Sequence, residues 1–174
     1  MITLIDNFYP DELYADVLEQ VKTFDFNPSH QPCRKDINRY QAYPVYETND
    51  LKKDNPAYQY LEKKLQEFKL KPFKMHTFYR KTLLSELKKS LSCDNYAKHI
   101  DGGCIVLAGV IYLNTQSIQD GTSLYNDFSD YEPTLTVASK PNRFIMYNSN
   151  IIHSPGVRQW QEERIIQPFF IEYA

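Results

Sequence analysis

KHIDGGCIVLAGVIYLN, residues 98–114, is the stretch from which the rest of the chain can be read. From Cys104 to Leu113 it is a nearly unbroken apolar run, which reads as a strand buried on both faces. Just ahead of that run, His99 and Asp101 stand two residues apart. In extended backbone, alternate side chains share a face, so this imidazole and this carboxylate point the same way. The pair alone is a weak signal, because composition gives about 0.3 such pairs by chance in a chain of this kind. The downstream residues carry more weight.

Thr134 to Val137 and Arg143 to Tyr147 read as strands around a Lys140-Pro141-Asn142 turn. His153 comes next, then Arg164 at the head of a final apolar strand, Ile165 to Ile171. Pro168 within that strand marks an edge or a bulge. Upstream, Phe73 to Leu83 is rich in aromatic residues, Thr and Met and reads as one strand. Residues 84–95 are polar, a loop or short helical excursion. Further back, residues 10–24 form an amphipathic pattern, with Leu13, Val17, Val21 and Phe24 at helical spacing and Asp11 as N-cap. A second helix starts at Asn55-Pro56, a capping residue followed by proline at the first helical position, with Tyr58, Leu61, Leu65 and Phe68 as its apolar face. Residues 27–50 show no clean period and read as irregular structure with short extended pieces. Helices followed by many short strands predict an α+β domain, its strands a sandwich or jelly roll buttressed by the helices. No internal repeat or linker divides residues 1–174, so one domain is expected.

Composition narrows the function classes. Of 174 residues, 42% are apolar and 14% aromatic, an ordered globular composition. A net charge of −2 argues against a nucleic-acid clamp, despite lysine clusters at Lys52-Lys53, Lys63-Lys64, Lys69 to Lys74 and Lys88-Lys89. Cys33, Cys93 and Cys104 are odd in number and match no metal or redox spacing, as expected of free thiols in a reducing compartment. Met1 to Asp6 lacks the pattern of a signal peptide, and no apolar run reaches the ~18 residues of a membrane span. The expected location is the cytoplasm.

Two imidazoles and one carboxylate can occupy one face of an octahedral iron and leave positions open for other ligands. His99, Asp101 and His153 supply that set, in the order His-x-Asp, buried strand, further strands, His, then Arg eleven residues on. The segments KHIDGG (98–103), GVIYLN (109–114), GTSLY (121–125), NRFIMYNSNIIHS (142–154) and ERIIQPFFIE (163–172), with LIDNFYPDEL (4–13) near the start, resemble the prolyl-4-hydroxylase-like branch of the iron(II)/2-oxoglutarate-dependent oxygenases.

The resemblance implies a double-stranded β-helix, a jelly roll with the metal at its open mouth. It implies Fe(II) held by His99, Asp101 and His153, with 2-oxoglutarate as co-substrate and O2 as oxidant. Arg164 matches the residue whose guanidinium makes two parallel charge-assisted hydrogen bonds to the far carboxylate of the oxoacid. Arg158 and Arg143 compete for that task, but Arg164 opens an apolar strand that can bury it against an anion. Tyr112 matches a phenol offered to the same carboxylate, or is a core aromatic. Tyr79 is a candidate for the pocket wall, or a packing residue. The stretch between Tyr79 and His99 is longer and richer in lysine than the family pattern, which suggests an insertion at Leu84 to Asp94, a candidate substrate lid. An iron-bound carboxylate at Asp101 fills the position where related halogenases bind chloride, so a hydroxylase is expected. The acceptor is expected to be a peptidyl or free amino-acid side chain or another small molecule. A catalytically silent jelly-roll binding module and a nucleic-acid-directed oxygenase of the same cofactor class are the competing readings.

Overall fold

A computed structural model describes residues 1–29, 45–83, 98–115, 117–155 and 163–174. The expected lid at 84–94 and the competing Arg158 lie outside these residues.

Among the described residues there are two helices. The first, α1 (Asp11–Thr23), buries Val17 and Val21, with Leu13 and Leu18 partly buried against the same core. The sequence pattern points to Asp11 as its N-cap, but the cap is Pro10, with no side-chain bond, and Asp11 and Glu12 lie inside the first turn. There their negative charges interact favourably with the positive end of the helix dipole. The second, α2 (Pro56–Glu67), starts as expected: Asn55 Oδ1 accepts from the amides of Ala57 (2.9 Å) and Tyr58 (3.3 Å). Tyr58, Leu61 and Leu65 are buried, whereas Phe68 is the C-cap and is left 37% exposed rather than continuing the apolar face.

The strands form two sheets. The larger runs, in spatial order, β1 (Ile2–Ile5), β9 (Arg143–Asn148), β6 (Ile105–Tyr112), β11 (Glu163–Tyr173), β5 (Arg80–Leu83), β3 (Val45–Glu47) and β2 (Asn27–Ser29), with β4 (Phe73–Thr77) also paired to β11. The smaller is β10 (Ile152–Pro155), β7 (Ser117–Tyr125) and β8 (Leu135–Ser139). Every pairing is antiparallel. This is the jelly roll expected from the sequence, with the helices against the large sheet.

Alternation along the central strands builds two cores, one on each face of the large sheet. Leu107 and Ile111 of β6, Phe144 and Met146 of β9, and Phe169 and Ile171 of β11 join the helices' apolar faces. Ala108, Val110 and Tyr112, with Ile145, Tyr147 and Ile166, meet Val137 of the small sheet. β6 is thus buried on both faces, as its sequence requires. On the helix side, Phe8, Phe144 and Phe169 stack in sequence, with centroids 4.6 and 5.2 Å apart.

Two local expectations are corrected. The stretch 73–83 is two strands, both paired with β11 and separated at Phe78-Tyr79. Pro168 pairs in regular register with Val110 of β6 and faces this gap on its other side, so it marks neither an edge strand nor a bulge, the register shift of β11 lying at Ile171-Glu172; its carbonyl accepts from Thr77 Oγ1 (2.9 Å). Lys140-Pro141-Asn142 is the expected turn between β8 and β9, with the Arg143 N–H donating to Lys140 O (3.0 Å), and it passes the chain from the small sheet to the large one. It is a corner with Asn142 at φ 61°, whose side chain bonds both the N–H and the C=O of Tyr9 at 2.8 Å. Finally, β1, β7 and β10 have no counterpart in the sequence reading. No helix among the described residues is long and apolar enough to cross a membrane.

Candidate metal centre

Among the described residues, one isolated bridge ties β10 of the small sheet to the segment that leads into β6. His99 and His153 form an antiparallel bridge, each amide donating to the other's carbonyl at 2.9 Å. Two residues on, the Asp101 amide donates to Ser149 O (3.0 Å). Gly102 and Gly103 then take positive φ (50° and 73°) and turn the chain into β6, a conformation glycine adopts without steric cost. Backbone pairing therefore brings together His99, Asp101 and His153, separated by more than fifty residues of chain.

Their ligand atoms lie within 4.8 Å of one another. Asp101 Oδ1 is 3.8 Å from His99 Nε2, and Asp101 Oδ2 is 3.6 Å from His153 Nε2. Those separations are too long for hydrogen bonds and suit donors gathered around a common centre. His153 Nδ1 is 2.9 Å from Ile151 O, which fixes the proton on Nδ1 and leaves the Nε2 lone pair for a ligand. Burial pushes the His153 pKa down to about 4, with Arg80 adding to the effect, so the ring is neutral at physiological pH. Burial also raises the Asp101 carboxyl, against the opposing pull of His99 and Arg80. Asp101 Oδ2 is buried without a hydrogen-bond partner. An orphaned carboxylate oxygen beside imidazole nitrogens fits a divalent metal, which would satisfy all three donors at once.

The three residues open onto a cavity with about 480 Å3 of space free of protein atoms, part of it continuous with solvent. Arg164 and Ile166 of β11, Thr122 of β7 and Tyr147 of β9 also line it. Arg164 is only 3% exposed; its guanidinium carbon sits 5.7 Å from the Tyr112 ring centroid, and Nη2 is 3.4 Å from Gly121 O. Tyr112 is behind the wall, with its hydroxyl 2.6 Å from Thr122 Oγ1. Arg143 is turned to the outside, where it pairs with Asp6 (2.6 Å) and donates to Ala138 O. Tyr79 does not reach the cavity. It is fully buried in the helix-side core, its ring 5.5 Å from Phe24 and its hydroxyl without a partner.

The neighbouring residue, Arg80, was missed. It lines the cavity and is 7% exposed. Arg80 lies opposite Ile166 in the ladder, two residues from Arg164 on the same face. Strict alternation puts Tyr79 and Arg80 on opposite faces of the sheet. Only the register with β11 says which of them faces the cavity.

No family model matches the sequence, and no curated protein matches it significantly. Solved structures do. HygX from Streptomyces hygroscopicus, with nickel and 2-oxoglutarate bound, superposes with a TM-score of 0.62 at 11% identity over 99% of this chain and 83% of its own. A 2OG-Fe(II) oxygenase family oxidoreductase from Burkholderia pseudomallei gives 0.65 at 12%, covering 98% and 84%. A Pseudomonas putida prolyl-4-hydroxylase gives 0.60 at 16%, covering 98% and 92%. At such low identities the likeness speaks to architecture, and the chain has the jelly-roll fold of the 2-oxoglutarate- and iron(II)-dependent oxygenases.

Proposed function

We propose that residues 1–174 act as one oxygenase domain that uses Fe(II), 2-oxoglutarate and O2 to hydroxylate a free or peptidyl amino-acid side chain or another small molecule. The observation that carries this reading is the buried Asp101 carboxylate, with one oxygen lacking a hydrogen bond and an imidazole nitrogen within 4 Å of each oxygen. His99, Asp101 and His153 would hold the metal. Arg164, in the same cavity, would bind the far carboxylate of 2-oxoglutarate, a task suited to a buried guanidinium. The metal with its oxoacid supplies oxidative decarboxylation to succinate and CO2, coupled to insertion of oxygen into a C–H bond.

The chain's own residues do the rest. Ile151 O holds the His153 ring in the tautomer that presents Nε2. Tyr112 backs the Arg164 guanidinium with its ring face, and Thr122 fixes the Tyr112 hydroxyl. Tyr147, Ile166 and Phe170 give the cavity apolar walls that exclude water. A carboxylate at Asp101, rather than a residue that leaves room for a halide, favours hydroxylation. The test is 2-oxoglutarate-dependent succinate release over amino acids, peptides and nucleotides. Release by the wild type and none by His99→Ala is expected; equal turnover by the variant would refute the metal assignment. Salt-sensitive binding and oxidation of nucleic acid would redirect the substrate class.

A further inference from the structure

Two arginines line this cavity, and a single dicarboxylate co-substrate accounts for one of them. Arg164 sits at the end marked by Tyr112 and Thr122. Arg80 stands on the same face of the sheet, opposite Ile166 and two residues along β11 from Arg164. Its guanidinium carbon is 5.5 Å from the Phe78 ring centroid; Phe78 stacks on Phe170 at 6.2 Å, and Phe170 lines the cavity. Arg80 also lines the same cavity as Asp101 and His153.

The partner of Arg80 is Glu47, its cross-strand neighbour on β3. Nε donates to Glu47 Oε1 at 2.7 Å. Nη2 lies 2.6 Å from that same oxygen but is not aligned to donate to it, and so remains a buried donor without a hydrogen bond. One carboxylate oxygen thus faces a guanidinium that has five N–H groups. As a structural element the pair makes little sense, because two buried charges gain no more than a well-packed apolar pair would.

Resting on the reading of the site given above, we propose that Arg80 anchors a carboxylate of the primary substrate, so that the molecule oxidised here is a small organic acid. Phe170, backed by Phe78, then flanks its apolar part, and Glu47 holds the guanidinium in place while weakening its pull on the anion.

The experiment is calorimetric titration of the Ni(II)- and 2-oxoglutarate-loaded protein with matched pairs: free amino acids, 2-hydroxy acids and aryl carboxylates against their primary amides. At least one acid should bind about tenfold or more tightly than its amide, the size of one charge-assisted hydrogen bond. Arg80→Gln should erase that preference. Glu47→Gln, which keeps an acceptor for Nε but removes the competing charge, should strengthen acid binding, and it provides the check should Arg80→Gln not fold. Amides binding as well as acids, no binding by any pair, or an unchanged acid preference in Glu47→Gln would overturn the proposal. So would an Arg80→Gln protein that loses only 2-oxoglutarate affinity, since the guanidinium would then serve the co-substrate. Failure of the protein to load Ni(II) and 2-oxoglutarate at all would instead refute the underlying site reading.

Discussion

Burial acts in opposite senses on two neighbours in the site. It holds His153 neutral, which prepares a metal ligand, but it makes the Asp101 carboxylate costly to ionise. A group whose folded pKa is raised in this way destabilises the fold once the pH is high enough to ionise it. Asp101→Asn should therefore make the metal-free protein more stable at pH 7, by roughly 1 kcal/mol, the usual gain when a strained functional group is removed. Urea denaturation measures this, and the same variant should fail to bind Co(II) or Ni(II). A less stable variant would mean that the carboxylate has a structural partner. Lys98 precedes His99 and is only 4% exposed. Its ammonium donates to the carbonyls of Phe128 and Asp130 and lies 4.3 Å from the Tyr125 ring centroid. Tyr125 in turn bonds Ser154, next to His153, at 3.2 Å. The neighbours of both histidines are thus tied through one tyrosine. Lys98→Met should weaken metal binding on the order of tenfold in a competition titration, the low end for residues that orient ligands.

Single elements can be tested by what they tolerate. Asn55→Ala removes the cap of α2 and should cost about 1 kcal/mol of stability. Gly109 is a harsher case. A Cβ there would lie 2.2 Å from both Ile145 O and the Phe169 ring, at the centre of the large sheet. Gly109→Ala should cost about 3 kcal/mol by overpacking, visible as a lowered denaturation midpoint. The α2 cap was legible because Asn-Pro is a local signal, and β6 because an apolar run needs two cores to bury it. The strands that were missed carry no such pattern. β7 is polar along much of its length, since Thr122 bonds Tyr112 of the large sheet and Ser123 bonds Thr136 of its own sheet instead of meeting a plain apolar core. β1 is only four residues long, too short to show a period. Arg80 was missed for a related reason: the choice between two adjacent residues is set by strand register, which lies in the pairing with β11 and not in the local sequence.

At the scale of the whole molecule, the chain's first residues are fastened to the corner between the sheets. Asp6 pairs with Arg143 (2.6 Å) and Lys140 (3.0 Å), while Asn142 holds Tyr9. Those cations bring the Asp6 carboxyl from 3.8 down to about 2. A depressed folded pKa gives stability that is complete above the unfolded value and is lost as the pH falls through the folded one. The stability difference between wild type and Asp6→Asn should thus be constant above about pH 5, shrink between about pH 4 and 2, and vanish below. High salt should reduce it, because the pair is partly exposed. The fold class and the three metal-binding candidates were legible across the chain because order and spacing survive where local periodicity fails. The claim on which the rest depends is that these three side chains and Arg164 bind metal and oxoacid together. Anaerobic titration of the protein with Fe(II) and then 2-oxoglutarate tests it most directly. A visible charge-transfer band that appears only with both present, is absent in His153→Ala and needs far more oxoacid in Arg164→Met is the predicted result; no band at saturating Fe(II) and 2-oxoglutarate, or an undiminished one in His153→Ala, would contradict it.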